Sequence, residues 1–236
     1  MQVVRIPVLN DNYVWLAHSA GVTAVVDPAV EGPVVAALEA RGWSLDFILN
    51  THHHGDHVGA NLKLKARTGC TIVGPRADRD RIPGIDIEVH EGDTFTLGAS
   101  TAKVLFVPGH TRGHIAYAFD EGTLFCGDVL FLGGCGRLFE GTPAQMFESL
   151  GKIAALPDQT RIYCAHEYTL SNLRFAVHER PDDAAIAARY ASVEARRQRN
   201  EPTVPGLLSE ERDTNLFLMA RTADELGAIR GRKDNF

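Results

Sequence analysis

The chain has 236 residues, with 30 acidic against 24 basic side chains and a formal net charge of −6. That balance gives no general attraction to nucleic acid or an anionic membrane surface. An apolar content of 44% with 23% charged residues excludes a disordered chain, and the length allows one sizeable core or a main domain with a smaller appendage.

The N-terminal stretch "MQVVRIPVLNDNYVWL" is interrupted by Asn10, Asp11 and Asn12 before it could act as a secretion signal or a membrane span. From there to about residue 128, short β-branched and aromatic runs alternate with turn residues. "QVVRIPV", "YVWLAHS", "VTAVVD", "LDFILN", "CTIVG", "TAKVLFVPG", "HIAYAFD" and "GTLFCGD" read as strands. Two helices fall between them: "GPVVAALEARG", with Pro33 near its start and Gly42 past its end, and "ANLKLKARTG", which stops at Gly69. Strands mixed with covering helices imply a layered α/β domain. A further helix starts at Thr142, where Thr142 caps, Pro143 suits the first helical position and Gln145 completes a capping box. After one more strand, "TRIYCA", the composition turns helical in "TLSNLRFAVHER", "DDAAIAARYASVEARRQRN" and "TADELGAIR", with a second capping box from Thr222 to Glu225. The boundary predicts a first domain over 1–166 and a mainly helical one over 167–236, with "NEPTVPG" as a loop inside the latter.

Cys70, Cys126, Cys135 and Cys164 are too sparse for a disulfide framework and form no CxxC pair, which implies reduced thiols and a cytoplasmic setting. The last three lie near the polar motifs and are expected to be small packing residues.

Metal-ligand residue types follow four of the strands: "NTHHHGDH", "PGHTRGH", "GDVLF" and "AHEY". Loops at one edge of a rigid sheet can converge although they are distant in sequence. In the first loop, His52 and His54 are two apart, so an extended backbone aims them to one side and His53 to the other. Asp56 and His57 follow Gly55, which lets the chain turn toward a different centre. Four imidazoles in six positions with a carboxylate among them would repel or leave polar atoms unpaired without a cation. His110, at the end of its strand, is favoured as a ligand over His114, which opens the next apolar run. Asp128 has a carboxylate that can bridge two cations, and His166 completes the inventory. Isolated histidines such as His18, His90 and His178 receive no role. At the C-terminal end, "IRGRKDNF" gathers Arg230, Arg232 and Lys233 either as a solvated tail or as part of a site.

These segments together resemble the metallo-β-lactamase superfamily, whose HxHxDH signature stands here as His52-His53-His54-Gly55-Asp56-His57. Within it the sequence is most similar to the hydroxyacylglutathione hydrolases, or glyoxalase II, through "NDNYVWL", "THHHGDH", "PGHTRGH", "GDVLFLGGCGRLFEGT", "YCAHEYTLSNLRFA" and "RKDNF". The resemblance implies a four-layer αββα sandwich with a helical C-terminal domain. It also implies two divalent metal ions, zinc first, with iron or manganese as alternatives because N/O donor sets discriminate poorly among them. One ion would be held by His52, His54 and His110, the other by Asp56, His57 and His166, with Asp128 bridging. Substrate-binding positions map onto Arg137, Tyr168, Arg230 and Lys233, and the tail is thereby drawn into the site. Arg137 stands where a lysine is usual, and Phe139 where a tyrosine is often found, so one hydroxyl contact is missing.

The activity implied is hydrolysis of the thioester of S-(2-hydroxyacyl)glutathione, S-D-lactoylglutathione in the usual case, in the second step of methylglyoxal detoxification. Paired cations about 3.5 to 4 Å apart would hold the nucleophilic hydroxide, with Asp56 and Asp128 as the catalytic carboxylates. A small-molecule glutathione thioester is the expected partner, and the chain is expected to act as a monomer. Other chemistries on the same scaffold are a lactonase, a β-lactam hydrolase or a glutathione-persulfide dioxygenase with one iron. A di-iron electron-transfer module is a further reading, against which stands the lack of a glycine-rich dinucleotide motif after a strand.

Overall fold

The computed structural model describes all 236 residues, Met1–Phe236. Two six-stranded sheets form its centre. The first runs in chain order through β1 (Gln2–Val8), β2 (Asn12–Ser19), β3 (Val22–Val26), β4 (Phe47–Leu49), β5 (Thr71–Pro75) and β6 (Ile87–Val89). Its β1–β2 and β2–β3 pairs are antiparallel, and from β3 onward the pairing is parallel. Parallel neighbours need crossovers, supplied by α1 (Glu31–Glu39) and by α2 (Gly55–Val58) with α3 (Asn61–Thr68). A 3₁₀ segment, Arg76–Arg81, leads from β5 to β6. Gly69 ends α3 in the left-handed conformation, φ 73°, where a side chain would be strained.

The second sheet contains β7 (Thr94–Leu97), β8 (Ser100–Phe106), β9 (Ile115–Phe119), β10 (Thr123–Gly127), a hairpin of β11 (Leu130–Phe131) and β12 (Gly134–Cys135) set apart from it, then β13 (Arg161–Cys164) after α4 (Pro143–Ala154). The remaining elements are α5 (Thr169–Glu179), α6 (Ala184–Gln198), β14 (Gly206–Leu207), α7 (Leu208–Thr214), α8 (Leu216–Met219) and α9 (Ala223–Asp234). The second sheet is ordered β14-β13-β10-β9-β8-β7.

Strand pleating sorts the apolar side chains. Val25 and Leu16 face α1 and α3 in one cluster with Val34, Leu38 and Leu64, whereas Ala24, Val26, Trp15 and Ala17 face the second sheet. The inner cluster takes in Phe95, Val104, Ile115, Tyr117 and Phe125 and continues to Met146, Leu150 and Ile153 of α4. Both faces of the first sheet are therefore covered, and the layers run helix, sheet, sheet, helix, as the αββα expectation had it. No helix is long and apolar enough to cross a membrane.

The structure corrects several local expectations. β6, β7, β14, the β11–β12 hairpin, α7 and α8 were not foreseen. The C-terminal stretch is not purely helical, because β14 pairs antiparallel with β13 and extends the second sheet. The Thr142 capping box is present in full, but the one at Thr222 is not. Thr222 accepts from the Glu225 backbone N–H, while the Glu225 carboxylate accepts from the N–H of Arg221 instead of that of Thr222. Gly55 heads the single-turn α2, and a Cβ there would meet nothing, so the helical turn itself redirects Asp56 and His57.

Candidate metal centre

The four motif loops meet at one edge of the two sheets. His52, in a bend after β4, and His54, in extended backbone, converge, with Nε2 of the former 3.1 Å from Nδ1 of the latter. Nδ1 of His54 is also 3.1 Å from Nε2 of His110, which arrives on the loop after β8. Ligand bonds of about 2.0–2.1 Å in a tetrahedron place neighbouring nitrogens roughly 3.3 Å apart, close to this spacing. The α2 turn turns His57 and Asp56 toward His166, the residue two beyond β13. Asp56 Oδ2 lies 3.4 Å from His166 Nε2 and 3.5 Å from His57 Nε2. Between the two groups stands Asp128, with Oδ1 3.5 Å from His57 Nε2 and Oδ2 3.5 Å from His110 Nε2 and 3.4 Å from His166 Nε2. Gly127 makes this placement possible: its φ is +48°, and a Cβ would come within 2.3 Å of Thr51 Oγ1.

The outer nitrogens fix the tautomers. His57 Nδ1 donates to Asp27 Oδ2 (3.0 Å), His166 Nδ1 to Asp11 Oδ1 (2.8 Å) and His110 Nδ1 to the carbonyl of Arg137 (2.9 Å). His52 Nδ1 donates to Thr51 Oγ1, whose own proton goes to Asp27 Oδ2 at 2.6 Å. Each of these rings thus turns its Nε2 inward, where a cation would take the place of any proton it carries. His57 Nε2 and Asp128 Oδ1 are buried with no hydrogen-bond partner at all, a costly state that a cation removes. The residues present therefore fit a divalent metal centre.

Electrostatics agree with that fit. Burial, reinforced by neighbouring imidazoles, drives the His52 pKa well below the usual histidine value and His54 to about 4, so both stay neutral donors. The neighbouring imidazoles of His166 and His57 hold Asp56 far below the ordinary carboxylate range. Burial alone would raise Asp128, but His57 and His166 outweigh it and keep it ionised. His57 and His166 go the other way: burial lowers them, yet Asp128 raises both, His166 to about 10.

His53 points away and meets Asp78. His114 lies behind the cluster, stacked on His52 with ring centroids 4.6 Å apart, and its Nε2 accepts from the backbone N–H of Asp128 at 3.1 Å. All four cysteines are free and buried. A cavity of about 590 Å³ opens over His110 and Asp128, and its wall includes Arg137, Tyr168, Arg230 and Lys233. Tyr168 stacks on His166 at 4.7 Å, and burial holds its phenol protonated. Arg230 is buried, donating to the carbonyl of Cys135 (2.9 Å) and to Asp234. Lys233 donates to the carbonyl of Ser171 at 3.0 Å, whereas Arg232 faces Glu179 instead.

Sequence reasoning missed Asp27, Asp11 and Arg174. Asp27 closes "VTAVVD", so a carboxylate at the end of an apolar strand was a visible signal. Asp11 was visible only as a break in an apolar stretch. Arg174 lines the same cavity from α5 and stands beside Lys233.

This sandwich, with its donor loops along one edge, is the architecture of the metallo-β-lactamase superfamily, whose family model matches residues 7–166. A second model, described as hydroxyacylglutathione hydrolase C-terminus, matches residues 167–236. The chain is 58% identical over 221 residues to a hydroxyacylglutathione hydrolase of Methylococcus capsulatus, covering 92% of this chain and 86% of that one. It is 51% identical over 257 residues to a protein of the same name from Crocosphaera subtropica, covering the whole of both. The chain belongs to the hydroxyacylglutathione hydrolase family. Among solved structures it is similar to ETHE1 from Myxococcus xanthus, with a TM-score of 0.75 at 24% identity over 98% of this chain and 90% of that one, a likeness of fold. It is also similar to TTHA1623 in a di-iron-bound form, with a TM-score of 0.59 at 29% identity over 70% of this chain and 92% of that one.

Proposed function

We propose that this chain hydrolyses the thioester of S-(2-hydroxyacyl)glutathione, S-D-lactoylglutathione above all, to glutathione and a 2-hydroxy acid, the second step of methylglyoxal detoxification. The observation that carries the reading is one cavity with His110 and Asp128 of the donor set on its floor and Arg137, Arg174, Arg230 and Lys233 on its wall against a single wall carboxylate, Asp234. Glutathione has two carboxylates, and guanidinium and ammonium donors suit them. Family membership supports the same substrate.

In this reading residues 1–166 supply the chemistry and 167–236 most of the glutathione recognition. Two divalent cations, zinc first and iron or manganese otherwise, would be held by His52, His54 and His110 and by Asp56, His57 and His166, with Asp128 shared. When bound, such cations supply Lewis acidity that polarises a carbonyl and makes water nucleophilic near neutral pH. The chain's own groups do the remaining work. Asp27, Asp11 and the Arg137 carbonyl hold the imidazoles in register. Asp56, kept ionised, serves as a ligand and is only a weak proton acceptor, so the proton of the attacking water passes to solvent or to the leaving thiolate. The Tyr168 hydroxyl and the cationic wall orient the thioester over Asp128. The water oxygen bonds to the carbonyl carbon, the C–S bond breaks and sulfur leaves as thiolate. Its conjugate acid has a pKa of about 8.5, so no strong protein acid is needed. The chain is read as a monomer, and four free thiols support a cytoplasmic setting.

The test is metal content and turnover on one preparation, comparing S-D-lactoylglutathione with homoserine lactone, nitrocefin and oxygen uptake on glutathione persulfide. Thioester cleavage abolished by a chelator is the expected result. A metal-bearing protein that spares the thioester and attacks one of the others would sink the reading.

A further inference from the structure

His53 belongs to a second polar cluster that the proposed chemistry leaves unused. Its Nδ1 donates to Asp78 Oδ2 and its Nε2 accepts from Arg81 Nη1, both at 3.0 Å. The Asp78 carboxylate is completely buried. Arg81 also pairs with Asp78 Oδ1 and binds Glu140 through both terminal nitrogens, Nη2 reaching Oε2 at 3.1 Å. Glu140 Oε2 accepts in turn from the backbone N–H of Arg112 at 2.8 Å. The loop after β8 is pressed onto this cluster, since a Cβ on Gly113 would fall 2.0 Å from Asp78 Oδ1.

One guanidinium thereby ties together the 3₁₀ segment, the loop bearing His52 and His54, the loop bearing His110 and the segment after β12. That last segment also grips His110 directly, because the Arg137 carbonyl accepts from its ring and Phe139 N donates to its carbonyl at 3.2 Å. Buried ion networks give little net stability, as desolvation offsets their attraction, so the consequence of this one is geometric. It touches none of Asp56, His57 and His166, which rely on Asp11, Asn12 and Asp27.

We propose that Arg81, held by Asp78 and Glu140, is a positioning residue for the His52–His54–His110 donor group and not for the Asp56–His57–His166 group. The inference rests on reading the cluster as a two-cation centre. Zinc release from the loaded full-length protein into a chromophoric chelator tests it, using Arg81→Met and the milder Glu140→Gln, with Asp11→Asn as the counterpart on the other group. In Arg81→Met one of two zinc equivalents is lost about tenfold or more readily while the other keeps its affinity, as expected when an orienting partner of ligands is removed. Glu140→Gln moves the same equivalent by a smaller factor and still reports if Arg81→Met fails to fold. Arg81→Lys, which restores the charge, recovers part of the loss. Release identical to that of the unaltered protein, or equal weakening of both equivalents, overturns the role of Arg81 while leaving the cation reading intact. An unaltered protein that takes up no zinc overturns both.

Discussion

Arg137 serves His110 and the cavity wall from opposite ends of one residue: its backbone carbonyl accepts the Nδ1 proton of His110 at 2.9 Å, while its guanidinium lies 3.6 Å from Asp234 on α9. Only the guanidinium is removed by mutation to alanine. Arg137→Ala is therefore expected to raise KM up to about fivefold, in the range of exposed charge pairs, with metal content and kcat unchanged. Arg230 is buried, so Arg230→Ala should raise KM more, by about tenfold or above. Steady-state kinetics with metal analysis separate the two, and loss of metal from Arg137→Ala would contradict the division of labour.

Asp27 accepts from Thr51 N (2.8 Å), Thr51 Oγ1 (2.6 Å) and His57 Nδ1 (3.0 Å), which leaves its carboxylate little capacity for a cation. Its φ is +50°, a region that asparagine tolerates better than alanine. Asp27→Asn is expected to keep the fold and weaken metal binding by about 10- to 100-fold, whereas Asp27→Ala loses thermal stability as well. Chelator competition and melting curves on both variants check this.

Lys233 gives a pH signature. Burial, with Arg230, Arg174 and Arg137 nearby, lowers its pKa from 10.5 to about 8. Its charge, and with it part of the attraction for a carboxylate, is present below that value and fades as pH rises through it. KM should therefore climb between about pH 7 and 9, and the climb should flatten in Lys233→Arg, whose side chain stays charged. The stability sign is opposite: the unfolded lysine binds the proton more tightly, so this group's contribution improves as pH rises from about 8 toward 10.5. Parallel KM profiles for the two proteins would remove Lys233 from recognition.

Two glycines should respond in opposite senses to the same methyl group. A Cβ on Gly136 would lie 2.1 Å from the Asp128 carbonyl oxygen and 2.8 Å from His110 Nδ1, while one on Gly151, inside α4, meets nothing. Gly136→Ala is expected to cost about 1–3 kcal/mol and to shed metal. Gly151→Ala should gain about 0.5–1 kcal/mol, a rise of roughly 1–4 °C in Tm at this chain length. Urea unfolding and metal content of both proteins provide the readout.

The donor loop from His52 to His57 was legible because six adjacent residues state the chemistry, and the long strands were legible because their runs are β-branched and aromatic. What stayed hidden depends on partners far along the chain. β14 spans only Gly206–Leu207 and exists because β13 lies beside it. α7 and α8 were lost within "GLLSEERDTNLFLMA", where Asn215 both ends one helix and caps the next through Phe217 N. Arg174 looks like an ordinary exposed helix residue until α5 is seen to wall the same cavity as α9. Arg81 and Asp78 lie in no motif, and Glu140 sits in "GRLFEG" without any sign of its partners, since their relation to His53 arises only when four segments fold together.

The placement of α9 bears on how the protein comes off the ribosome. All the side chains assigned to metal precede residue 167, while Arg230 and Lys233 are among the last to be synthesised, and Arg230 reaches back to the Cys135 carbonyl. On the two-cation reading, every proposed ligand would leave the ribosome before Arg230 and Lys233, while Asn215 and Glu211, which hold the β11–β12 hairpin, would follow the ligands as well.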